Sequence, residues 1–142
     1  MKMKSLLTLA LALAFGCTAA FAAEDDTPLA KEMKTMNKSL RALKKQVADP
    51  AKKDANLELL ATIRKSLDAA TKLEPAKTKE VPAAEKAAYL DKYKAQLTDL
   101  AKTYDELEAA IKADKADDVK KALDKLSEQK EKGHKDFAPE EK

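Results

Sequence analysis

Apolar side chains recur along this chain at intervals of three and four. Leu29, Met33, Met36, Leu40, Leu43 and Val47 follow one another at 4, 3, 4, 3 and 4 residues, which puts them on one face of an α-helix. Thr27 is placed to cap that helix and Pro28 to open it. Asp49-Pro50 ends it. A second helix is expected from near Asp54, with Leu57, Leu60, Ile63, Leu67 and Ala70 as its stripe. It stops at LEPAKTKEVP, the longest stretch without periodicity, bracketed by Pro75 and Pro82. A third helix opens at Pro82 and carries Tyr89, Tyr93, Leu97, Leu100, Tyr104, Leu107 and Ile111. ADKADD breaks it. Asp117 or a neighbour is expected to cap a fourth, whose apolar residues are Val119, Ala122, Leu123, Leu126 and, beyond a weaker stretch, Phe137. Four amphipathic helices on short connectors predict an all-α fold, an up-down-up-down antiparallel four-helix bundle.

The start of the chain reads differently. Lys2 and Lys4 precede an apolar run, and Ala20-Phe21-Ala22 precedes AEDD. This is the pattern of a cleaved signal peptide over residues 1–22. Export to the periplasm is expected, with no stable membrane insertion after cleavage, because no second apolar span follows. A single domain then occupies residues 23–142, or 120 residues, a length that suits one core. Cys17 lies inside the signal. Ala14 and Phe15 before it do not suit a lipidated cysteine, so the mature chain has no thiol.

Without the signal the chain holds 26 basic and 25 acidic residues. Near neutrality, no tryptophan and few aromatics argue against a nucleic-acid partner. Gly is almost absent, and Ala, Leu, Lys and Glu dominate, as in helical proteins. With one histidine, no mature cysteine and no Gly-rich phosphate loop, no enzyme is expected.

The single histidine, His134, lies near the end of the fourth helix. Eleven residues separate it from Leu123, close to three turns, so it is expected to share Leu123's side and to turn inward. In an up-down bundle the start of helix one and the end of helix four share an end, and Met33 lies near that start. A lone histidine near a helix C-terminus is often only a partner for the helix dipole. A methionine in a stripe is usually core filler. Together at one end of a bundle, a thioether and an imidazole suit the two axial positions of a haem iron. They do not suit calcium or magnesium, which want oxygen. The five residues ending in His134 are KEKGH rather than the C-x-x-C-H of covalent attachment, so a haem would be held noncovalently.

The mature chain resembles the cytochrome b562 family. KEMKTMNKSLRALKK is similar to that family's first helix, in which a Met is followed at +3, +7 and +10 by apolar residues, here Met36, Leu40 and Leu43. LSEQKEKGHKDF is similar to its last helix, where a Leu lies eight residues before the axial His. LATIRK resembles its second helix, and AFAAEDD its signal junction. The resemblance implies one haem b per chain, with Met33 and His134 as axial ligands of its iron. It also implies Met36, Leu40, Tyr93, Leu97, Lys130 and Phe137 around the group. Leu97 stands where the family has an aromatic, and Gly133 before the histidine should loosen the last turn. A monomer that exchanges single electrons with an unnamed redox partner protein is expected. The rival expectation is a haem-free envelope bundle acting as an interaction or holdase-like protein.

Overall fold

The computed structural model describes residues 27–138. The expected signal peptide and its cleavage point, Cys17 and the tail from Pro139 lie outside the described residues. The described chain has four α-helices and no strand. They are α1, Pro28–Gln46; α2, Lys53–Ala70; α3, Lys86–Lys112; and α4, Ala116–Phe137. Short 3-10 turns occupy Pro50–Lys52 and Ala76–Glu80.

Local chemistry sets most of the boundaries. Thr27 caps α1, its hydroxyl accepting from the Ala30 N–H at 3.1 Å, with Pro28 at the first helical position. Asp49 accepts from the Ala51 N–H at 3.0 Å and so begins the 3-10 turn that leads into α2. The third helix starts later than expected. Pro82 opens only a turn, and regular α3 begins at Lys86. Asp117 does not cap α4; it sits in the first turn, where its charge suits the helix N-terminus, and Lys115 holds the cap position. The α3–α4 connection is tight. Asp114 takes φ 55°, and Lys115 N–H reaches back to the Ala110 carbonyl at 3.0 Å, a Schellman closure with Asp in place of Gly.

The stripes become one core. Leu43, Leu60, Ile63, Leu107 and Leu126 are fully buried at its centre. Antiparallel neighbours are tied by polar contacts at matching levels. Lys53 Nζ at the start of α2 meets the Lys112 carbonyl and the Asp114 carboxylate at the end of α3, both at 2.8 Å. At the other end of the same pair, the Tyr93 hydroxyl donates to the Ala70 carbonyl at 3.0 Å. Between them Arg64 of α2 pairs with Asp105 and Glu108 of α3. Helix α4 returns along α3 through Lys125–Glu106 and Gln96–Asp136. Helix α1 packs on α2, α2 on α3, and α3 on α4, while α1 and α4 are not a close-packed pair.

Candidate functional site

A hydrogen bond from Lys44 Nζ to Ser127 Oγ, at 2.9 Å, spans the seam between α1 and α4. That bond identifies the strips that face each other across the seam. Met33 lies eleven residues before Lys44, three turns of α1. His134 lies seven residues after Ser127, two turns of α4. Both therefore belong to the facing strips, at the end where α1 begins and α4 finishes.

Their burial differs. Met33 is half-buried and packed against the core, with Met36 and Leu40 buried behind it. His134 is exposed, as is Lys130 one turn earlier. The inward turn expected of His134 is not seen. The inward line of α4 runs through Ala122, Leu126, Gln129, Gly133 and Phe137, and one residue of helix rotates a side chain by about 100° away from it. The imidazole thus stands at the rim of the seam.

The wall beside the seam is aromatic. Phe137 meets Tyr89 and Tyr93 edge-on, with centroids 5.2 Å apart in both pairs. Lys92 Nζ lies 5.9 Å from the Phe137 centroid and also pairs with Asp136 at 3.2 Å. Burial pushes the Tyr93 phenol up to about 12, with Tyr89 adding a smaller push. Tyr89 is raised by burial and then by the charges of Asp136 and Glu80. Partial burial would raise the Asp136 carboxyl, yet hydrogen bonds from Lys92 and Gln96 hold it below its usual range. Leu97 is buried in the same core as Tyr93, Met36 and Leu40.

The fold thus brings Met36, Leu40, Tyr93, Leu97 and Phe137 into one apolar cluster, sets Met33 at its edge, and leaves Lys130 and His134 outside. Four residues of this end, Tyr89, Lys92, Gln96 and Asp136, were not among the expected site residues. Tyr89 was detectable, since it lies one turn before Tyr93 in the same stripe. Lys92, Gln96 and Asp136 carried no signal, because a polar side chain on a helix does not reveal which partner it will find.

The residues present fit a haem. Half-buried Met33 carries a thioether and exposed His134 an imidazole on the two helices that flank the seam, with Met36, Leu40, Leu97 and Phe137 buried nearby and Lys44 and Lys130 exposed. The donor set matches haem iron and suits few other metals. Among the described residues no group of three His, Cys, Asp or Glu could hold a bare ion.

No curated protein and no solved structure matches the chain significantly. The family model described as Cytochrome b562 matches residues 28–138. The chain belongs to the cytochrome b562 family, whose members are haem-binding, electron-transferring helical bundles rather than typical enzymes.

Proposed function

We propose that this member of the cytochrome b562 family is a periplasmic, monomeric electron carrier. It is an up-down-up-down bundle that holds one noncovalent haem b in the α1–α4 seam. Met33 supplies the thioether ligand and His134 the imidazole. When bound, such an iron takes up or gives back one electron, and thioether–imidazole ligation favours a raised potential.

The rest of the work belongs to the chain. Met36, Leu40, Leu97 and Phe137 exclude water from the seam, which keeps the dielectric low around the redox centre. Tyr93 is held in place through its hydrogen bond to Ala70. Lys130 and Lys44 offer cations to anionic groups at the rim. With Met33 and His134 both holding the haem, the chain would leave no open position there for a substrate. His134 is exposed and α1–α4 is not among the close-packed helix pairs, so the imidazole would turn in from the rim to hold the group.

The observation that carries this reading is the pairing of facing strips, with Met33 and His134 toward the same end of the loosely packed α1–α4 seam. No helix of the described residues is long and apolar enough to cross a membrane, in keeping with a carrier released after export. The competing haem-free bundle draws on the exposure of His134, and titration with hemin separates the two. One equivalent should give a low-spin spectrum that sharpens on reduction. Acid–organic extraction should then strip all pigment, because no mature thiol can hold it. An unsaturable, high-spin signal would favour the haem-free bundle.

A further inference from the structure

Among the four helices, net charge is confined to one. Helices α2, α3 and α4 each carry equal numbers of basic and acidic residues, whereas α1 carries six basic residues and one acid. Five of the six are Lys31, Lys34, Lys38, Arg41 and Lys45, spaced 3, 4, 3 and 4. That spacing makes a stripe about 21 Å long on the face opposite the core, and all five residues are exposed. Neighbours at these spacings repel one another and weaken the helix. Two of the five, Lys31 and Lys34, lie near the positive end of the helix dipole, where cations are unfavourable. Elsewhere the same spacings are used for ion pairs, as in Glu108–Lys112 and Asp118–Lys121. Among the described residues Lys31, Lys38, Arg41 and Lys45 have no acidic partner. Those four residues therefore make no ion pair that would serve the fold.

We infer that the outer face of α1 is the docking surface for an acidic redox protein. The inference rests on the electron-carrier reading above, since the stripe shares its helix with Met33 and a partner seated there lies one helix width, about 10 Å, from the proposed haem. A surface of charges without exposed apolar side chains gives fast, salt-sensitive and short-lived encounters. Small contact areas of this kind are usual between electron carriers. The near-zero net charge of the mature chain means that attraction comes from this face and not from the molecule as a whole.

The test uses a small acidic flavodoxin as probe against isotope-labelled mature protein, both haem-free and loaded with hemin. Amide shifts should cluster on residues 31–45 in both forms. Affinity should fall at least tenfold as salt rises from about 20 mM to about 200 mM, where screening lengths shorten to below 10 Å. Replacing Lys31, Lys38, Arg41 and Lys45 together by Glu should abolish binding. The same reversal at exposed Lys65, Lys72, Lys94 and Lys120 should leave the shift pattern on α1. Equal loss in both variants, shifts centred on α3 or α4, or affinity that ignores salt would overturn the proposal. So would attachment to phosphatidylglycerol vesicles without binding to flavodoxin, which would make the stripe a membrane-facing surface. The haem-free arm stays readable if hemin fails to load, so failure of the docking surface and failure of the haem reading are separate results.

Discussion

Tyr93 and Phe137 meet with ring centroids 5.2 Å apart and planes inclined by 70°, closing the end of the bundle between the start of α3 and the end of α4. Tyr89 grips the other side of the same phenylalanine. Phe137 is thus the last large side chain that holds α4 down, and only 8% of its surface is exposed. Phe137→Ala in the haem-free protein should cost about 3 kcal/mol, the low end for a buried phenylalanine because the site is at a helix end. Thermal unfolding followed by circular dichroism should show the midpoint lowered by roughly 10 °C. A loss below about 1 kcal/mol would mean that the end of α4 is not docked in solution.

The tyrosines make the fold sensitive to alkali. The phenols of Tyr93 and Tyr104 are pushed up to about 12, each chiefly by burial. In the unfolded chain they ionise near 10. The folded state therefore keeps protons that the unfolded state loses between these values. This contribution is fully present below about pH 10 and is lost as pH rises toward 12. Phenolate absorbance should appear together with loss of helical ellipticity. Full ionisation of all three tyrosines near pH 10 with the helices intact would contradict the burial described here.

Gly133 invites a substitution with the opposite sign. It lies within α4 with no positive φ, and an added Cβ would come no closer than 3.6 Å, to Gln96 Oε1. Gly133→Ala should stabilise the haem-free protein by about 0.5–1 kcal/mol through helix propensity alone. Urea unfolding should show a higher midpoint with an unchanged slope. A lower midpoint would mean that α4 bends at this residue in solution.

Periodicity carried most of the architecture because burial and helical spacing are the same fact seen twice. Leu40, Leu43, Leu60, Ile63, Leu107 and Leu126 all stand in stripes, and all are buried. Helix starts were harder. Thr27 was recognisable as a cap, while Pro82 misled by four residues because a proline suits a turn as well as a first helical position. Buried polar residues were invisible. Asn56 is buried yet accepts from Gln46 Nε2 at 3.0 Å across the α1–α2 hairpin, a pairing that only the fold creates. At the site, Met33 and His134 could be assigned to one end of the bundle from helix order. The rim position of His134 could not, because three turns from Leu123 do not settle which of two adjacent faces points inward.

The proposed ligation of a haem iron by Met33 and His134 spans the α1–α4 seam. It is tested most directly by visible spectra of hemin-loaded wild type, Met33→Ala and His134→Ala, with Met36→Ala as a register control. The wild type should be low-spin in both oxidation states. His134→Ala should become high-spin or fail to bind, and Met33→Ala should become high-spin with a smaller loss of affinity, because a thioether is the weaker ligand. Met36→Ala should stay low-spin. Low-spin spectra in both ligand variants, or a larger change in Met36→Ala than in Met33→Ala, would contradict the assignment.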